Sequence, residues 1–311
     1  MELYCPRCGT YTEAEKVFCL RCGYRLIPLT PYDLAIDDYI YPSDRDNLEA
    51  LKDTEPLPHL IKHFVLKNYV RSATESLSRD AVRVGYMSRI GDLVRRCGVV
   101  LGLEALPKTY LAFADKPIAF TFGSDDSPFL VLGSPLIKIL DEEELKAVIA
   151  HELAHIKSRH MLYHTLAELI VRGAIFSAKI SGLEILSLPI KLLLLSWHRD
   201  SEVSADRASL LAVGNLETVK SMLLKIHKAV GGVASQEDVE SITEPFQTHP
   251  TLQNRIREIE KFYNTQQYLK VRQKILKRLE LSKALTPRCR FCGAEKDILD
   301  LFCPRCGRSQ T

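Results

Sequence analysis

The residues best equipped for chemistry lie in Ala150-His151-Glu152-Leu153-Ala154-His155-Ile156. Histidines four apart on a helix share a face, one turn apart. Neutral imidazole suits zinc, and at this spacing both rings reach one ion at about 2.0–2.1 Å. Glu152 follows the first histidine, placed to take a proton from a zinc-bound water. A five-residue pattern recurs by chance in many chains, so its setting matters. Asp141-Glu142-Glu143-Glu144 has the form of a capping box, with Asp141 as N-cap and Glu144 at N3. The acids of that first turn complement the helix dipole. Leu145, Val148, Ile149, Leu153 and Ile156 continue as an apolar stripe at helical spacing. The pattern predicts a half-buried helix carrying the motif at its middle. The plainer alternative is a core helix with two satisfied histidines.

A catalytic zinc takes three protein ligands and leaves its fourth position for water. Asp200-Ser201-Glu202-Val203-Ser204-Ala205-Asp206-Arg207 offers Glu202 as the third, on a helix running to about Val213 and closed by Gly214-Asn215. Asp206, one turn later, is placed to accept the other ring N–H of His151 and fix its tautomer. Taken alone, such an acidic pair is more often a solvated helix face. His160 and His164 follow His155 without the spacing of a three-histidine motif. His198 shares a face with Glu202 and reads as a pocket or surface histidine.

Eight of the nine cysteines form four C-x-x-C-G knuckles. Cys5, Cys8, Cys19 and Cys22 repeat at the other end as Cys289, Cys292, Cys303 and Cys306, with the same spacing. Each set offers four thiolates to one structural zinc. Gly9, Gly23, Gly293 and Gly307 close the knuckles, where a positive φ favours glycine. A disulfide framework is the alternative, and it fits poorly with a chain that has no secretory leader. Cys97 is left over and reads as a small buried hydrophobe.

The 311 residues are 46% hydrophobic and 26% charged, the balance of a soluble globular protein with room for one sizeable core. A net charge of +3 argues neither for nor against nucleic acid, a partner that is possible but not favoured. Met1-Glu2-Leu3-Tyr4-Cys5 enters the first knuckle with no apolar leader, which points to the cytoplasm. Residues 1–26 are expected to be one cysteine ribbon and 287–311 the other. The proline-rich stretch 27–58 reads as a linker with little regular structure, 59–265 as the core, and 266–286 as a basic helical linker. Leu60, Phe64, Leu66, Val70, Ala73 and Leu77 suggest one packing helix, and 82–101 another. Thr109-Tyr110-Leu111-Ala112-Phe113, Ala119-Phe120-Thr121-Phe122 and Phe129-Leu130-Val131-Leu132 read as three strands. One of these is expected at an exposed edge beside the motif helix, where an extended peptide can pair. Residues 136–140 suggest a short helix before the motif helix. Charges interrupt the apolar run 162–197, which favours buried or amphipathic helices over a span; peripheral membrane contact is a further possibility for it. The fold class is α+β, mainly helical with a small sheet.

Residues 123–156, with Leu-Gly-Ser-Pro-Leu before the acidic cap and then His151-Glu152-Leu153-Ala154-His155, resemble the HtpX-like and CAAX-prenyl-protease family of gluzincin metallopeptidases. Ser201-Glu202-Val203-Ser204-Ala205-Asp206-Arg207 is similar to the family's second motif. Phe246-Gln247-Thr248-His249-Pro250, followed by Arg255-Ile256, is similar to its third. The resemblance spans roughly residues 80–262. It implies a zincin-like core with zinc on His151, His155 and Glu202, and Glu152 as general base and acid. It further implies that His249 helps stabilise the oxyanion and that Arg255 supports the site. From the residues alone, His249 is a loop histidine and Arg255 a surface charge. Ile118 stands where the family often has Asn beside the substrate edge, which removes one polar contact. The expected function is zinc-dependent hydrolysis of protein or peptide substrates in quality control, with one catalytic and two structural zinc ions. The competing expectation is a non-catalytic adaptor whose ribbons bind protein or nucleic acid.

Overall fold

A computed structural model describes residues 3–12, 16–54, 57, 69–171, 188–231, 250–284, 288–294, 296 and 300–309. The motif helix, Glu142–Lys157, lies at its centre. Its capping box forms as the sequence predicts: Glu144 N donates to Asp141 Oδ1 and Asp141 N to Glu144 Oε2, both at 2.9 Å. Before it lie a strand pair Leu3–Tyr4 (β1) and Tyr11–Thr12 (β2), and the helix Pro42–Lys52 (α1). Next come Arg71–Asp80 (α2), the strand Ala81–Arg83 (β3) and Arg89–Val100 (α3). The strands Lys108–Ala112 (β4), Ala119–Ser124 (β5) and Ser127–Gly133 (β6) lead into Ser134–Ile139 (α4) and the motif helix, α5. The chain continues as Met161–Val171 (α6), Leu188–Val213 (α7), Leu216–Ala229 (α8), Leu252–Tyr263 (α9) and Gln266–Ala284 (α10).

The four-stranded sheet has the order β3-β4-β6-β5. β3 and β5 pair antiparallel with their neighbours, whereas β4 and β6 run parallel, so the sheet is mixed. β6 is central and buried on both faces, which explains its unbroken run Phe129-Leu130-Val131-Leu132. Leu130 and Leu132 face the main core with α5, while Phe129 and Val131 pack with Phe122 on the other side, against Ala73 and Leu77 of α2. β5 takes the edge and packs against α5 and α6, where the sequence placed a peptide-pairing edge. β3 is a correction, because its Val82 and Arg83 open the stretch 82–101 expected to be helix. Helix α3 begins only at Arg89, after Ser88 caps Gly91 N at 3.1 Å. Much of the helix expected over 60–77 lies outside the described residues, as do 172–187 of the apolar run.

Two expected linkers are built into the core. In 27–58, Leu34 and Tyr39 are buried, and Leu48 and Leu51 of α1 pack with Leu166, Leu194 and Trp197. Pro42, counted among the linker prolines, opens α1 at its first turn, where a missing N–H costs nothing. Helix α10 buries Tyr268, Val271 and Ile275 in the main core, and Arg272 donates to the Leu211 carbonyl at 2.7 Å. Its basic residues are therefore only partly a solvated face. Among the described residues, no helix is long and apolar enough to cross a membrane.

The two cysteine clusters share a local fold but differ in setting. Phe18 bridges Arg25 as Phe302 bridges Ser309. Phe18 is 2% exposed and part of the core, whereas Phe302 is 52% exposed. The Gly23 knuckle lies so close to the core that a Cβ there would meet the Tyr86 hydroxyl at 2.7 Å, whereas one on Gly307 would meet nothing within 4 Å. Phe18→Ala is therefore expected to lower unfolding stability by about 3–5 kcal/mol. Phe302→Ala should shift it by under about 1 kcal/mol. Denaturant titration of both variants checks this; equal effects would mean that the N-terminal cluster is not part of the core.

Candidate metal centre

Helix α5 packs along α7, and the contact between them carries the site. Both helices bury small residues, Ala147, Ala150 and Ala154 on α5 and Ala205 and Ala208 on α7, and Ser209 Oγ of α7 donates to the Ala147 carbonyl of α5 at 2.8 Å. His151 and His155 project from α5 one turn apart, their Nε2 atoms 3.2 Å from each other. Glu202 comes from α7, with Oε2 at 3.5 Å from His151 Nε2 and Oε1 at 3.3 Å from His155 Nε2. Zinc bonds of about 2.0–2.1 Å place tetrahedral ligands about 3.3–3.4 Å apart. The three side chains thus fit one zinc as they stand. Glu152, from the same turn of α5, is buried beside them.

The outer side of the site is held by charge. His151 Nδ1 lies 3.0 Å from Asp206 Oδ1, so the ring donates there and keeps Nε2 free for a metal. Arg255, from α9, donates to both oxygens of Asp206 at 2.6 and 2.8 Å and reaches Glu202 at 3.6 Å. Burial alone would raise the Asp206 carboxyl, but Arg255 and His151 overcome it and hold it below the usual carboxylate range. Burial likewise opposes charge on His151, yet the Asp206 and Glu202 carboxylates outweigh it and push its pKa up to about 10. The pocket favours a cation.

Among the described residues, two further groupings bring candidate ligand atoms together: His155, His160 and His164, and His164, His198 and Glu202. In both, ring stacking and hydrogen bonds compete with a metal for the same nitrogens. The His164 and His198 rings stack at 3.9 Å and 23°, and His160 lies nearly parallel to His164, at 16°. His164 Nε2 also donates to Ser201 Oγ at 2.6 Å, while Ser201 gives its own hydrogen to the His198 carbonyl. Burial holds the pKa of both His160 and His164 well below the ordinary value, so they are neutral. His198 is buried, not on the surface. His249 lies outside the described residues. Ile118 leads into β5, its carbonyl accepting from Gly133 N at 2.7 Å.

In each cysteine cluster the sulfurs face one another at metal-site spacing. The distances are 3.6 Å for Cys5–Cys22, 3.7 Å for Cys8–Cys19, 3.8 Å for Cys289–Cys306 and 3.5 Å for Cys292–Cys303. Zinc–sulfur bonds of about 2.3 Å give tetrahedral edges near 3.8 Å. Gly9, Gly23, Gly293 and Gly307 all have positive φ, from 65° to 75°. Cys97 is buried, and burial pushes its thiol up to about 12.

The geometry sets the terms for comparison with known proteins. The family model for peptidase family M48 matches residues 88–263, more than half of the chain. The chain belongs to peptidase family M48. That family holds the HtpX-like zinc metallopeptidases, and its matched segment carries the histidines, Glu202, Asp206 and Arg255. A plastoglobule-localized metallopeptidase 48 of Arabidopsis thaliana chloroplasts is 30% identical over 225 residues, 70% of this chain and 63% of that protein. A protease HtpX homolog of Pelotomaculum thermopropionicum is 28% identical over 207 residues, covering 54% of the chain and 73% of the homolog. One from Paraburkholderia phytofirmans is 28% identical over 202 residues, covering 53% and 70%. The M48 chain thus spans under two thirds of the plant relative. Its cysteine clusters lie outside the matched family segment.

Sequence reasoning missed Asp44 and the contact of His160 with His155. A usable signal was present: Pro42-Ser43-Asp44 followed by Leu48 and Leu51 is a helix start with an apolar face. Asp206→Asn keeps shape but removes the charge that orients His151. It is expected to weaken zinc binding at this centre about 10–100-fold. Competition with a chelator measures this, and an unchanged affinity would show that Asp206 does not orient the ligand. In the metal-free protein the His151 proton must leave before zinc binds. Apparent affinity should therefore rise with pH through neutrality, by up to about tenfold per unit below the His151 pKa.

Proposed function

We propose that the chain is a zinc-dependent endopeptidase acting on protein substrates in quality control. The observation that carries this reading is the tetrahedral spacing of His151 Nε2, His155 Nε2 and the Glu202 carboxylate. The fit is to one zinc in this centre and one in each cysteine cluster, three per chain. Zinc in the His-Glu centre supplies Lewis-acid chemistry, polarising a carbonyl and making water acidic near neutral pH.

The chain's own residues supply the rest. Glu152 takes the proton of the attacking water and passes it to the leaving amine nitrogen. Arg255, held by Asp206, keeps two buried carboxylates charged and in place. His249 is assigned to donate a hydrogen bond to the oxyanion. An extended substrate pairs its backbone with the free edge of β5, with Ile118 at its entrance. The cysteine clusters serve substrate or partner recognition. The reading keeps the chain cytoplasmic, with 162–197 as the segment for any peripheral membrane contact, and does not favour nucleic acid.

Glu152→Gln separates chemistry from metal binding. Zinc content should stay at three per chain while hydrolysis of a short unstructured peptide falls at least about 10²-fold. Cleavage at the wild-type rate would remove Glu152 from the reaction. Glu202→Ala should carry only two zinc ions as purified, against three in wild type, because the open site loses a ligand while both closed four-cysteine sites stay intact. If wild type also keeps only two, the His-Glu centre is not a zinc site.

A further inference from the structure

His155 offers two nitrogens, and the surroundings decide which one carries hydrogen. Its Nε2 faces His151 Nε2 at 3.2 Å and Glu202 Oε1 at 3.3 Å. Its Nδ1 points the other way, 3.1 Å from His160 Nδ1. For Nε2 to offer a lone pair to a metal, Nδ1 must carry the hydrogen and donate it to His160. His160 then accepts at Nδ1 and carries its own hydrogen on Nε2. That Nε2 is buried, with no hydrogen bond of good geometry among the described residues. Asp44 Oδ2 lies 3.3 Å away, and a buried N–H needs an acceptor.

Asp44 is placed to be that acceptor. It is 0% exposed, fixed by Trp197 Nε1 at 2.8 Å and Ser204 Oγ at 2.5 Å. A carboxylate has about four lone-pair sites, so these two donors leave room for a third. We infer that Asp44 and His160 are positioning residues that lock His155 in its metal-binding tautomer, which makes the arm before the family domain part of the active centre. This rests on the His-Glu centre being a metal site. The arrangement mirrors the other ligand, since Asp206 does for His151 directly what Asp44 does for His155 through one intervening ring. Asp44 lies outside the matched segment 88–263. The arm that carries it is tied down independently: Tyr39 Oη bonds Ser158 Oγ at 2.9 Å, Tyr41 N donates to Ser204 Oγ at 2.8 Å, and Asn47 Nδ2 donates to Asp200 at 3.1 Å.

Asp44→Asn tests the chain of acceptors without changing volume. One amide oxygen cannot serve Trp197, Ser204 and His160 together, and the amide N–H₂ favours the reversed His160 tautomer. In full-length protein, the chelator-labile zinc should be held about 10–100-fold more weakly. Tyr39→Phe loosens the same arm without touching the relay, and its zinc affinity should stay within about twofold of wild type. Denaturation midpoints are recorded for both. Wild-type affinity in Asp44→Asn overturns the inference. So does a loss in both variants that tracks their stability, because the arm would then only brace the fold. Imidazole nitrogen-15 shifts in zinc-loaded wild type give a readout that needs no variant. They should place hydrogen on His155 Nδ1 and His160 Nε2, and hydrogen on His160 Nδ1 would overturn the relay. A wild type with no labile zinc would sink the metal-centre reading itself, and this inference with it.

Discussion

Two carboxylates on one turn of a buried helix constrain everything around them. Glu202 and Asp206 lie on α7 with almost no contact with solvent. A buried charge that loses its partner destabilises a fold by about 3–5 kcal/mol. α5 must therefore bring His151 and His155, and α9 must bring Arg255, to the same few ångströms. These helices cannot shift independently. One guanidinium faces Glu152, Glu202 and Asp206, so the centre keeps an excess of negative charge that suits a divalent cation.

The motif helix is braced along its whole length. At its start, Glu144 accepts from Ser221 at 2.6 Å and Lys225 at 2.7 Å, both on α8, as well as closing its own capping box. Burial works against that carboxylate's charge, but these partners outweigh it and hold its pKa down. Midway, Ser209 donates to the Ala147 carbonyl at 2.8 Å. At its end, Tyr39 bonds the C-capping Ser158. Helix ends and backbone carbonyls are satisfied by side chains from three other segments, so small displacements of the histidines meet resistance from several directions.

What the sequence made legible was local or periodic. The capping box, the apolar stripe, the three longer strands and the cysteine spacing are all short-range patterns, and the structure has each of them. The four-residue spacing of Glu202 and Asp206 put both on one helix face, but alone it reads as a solvated face; the need for a third zinc ligand and the resemblance to the family's second motif singled the pair out. What escaped depends on contacts across long stretches of chain. Prolines made 27–58 read as a linker, yet Pro42 starts a helix whose Asp44 meets residues more than 150 positions later. The apolar spacing of Val271 and Ile275 in α10 was legible beside its lysines and arginines, but not that it packs on the core. β3 has three residues and exists because β4 needs a neighbour, which periodicity cannot register. His160 was set aside on spacing to a metal, when its contact is with a ligand's far nitrogen.

The distance in sequence between Asp206 and Arg255 has a bearing on synthesis. During translation the chain lengthens by about 5–20 residues per second. A growing copy that has reached the end of α7 already holds both histidines, Glu152 and Glu202. It does not yet hold the guanidinium that balances Asp206 across 49 positions, nor α8, α9 and α10. Until α9 has been made, Asp206 is without the guanidinium that it meets in the finished fold. A nascent chain of that length thus carries His151, Glu152, His155 and Glu202 before the residue that neutralises Asp206 exists.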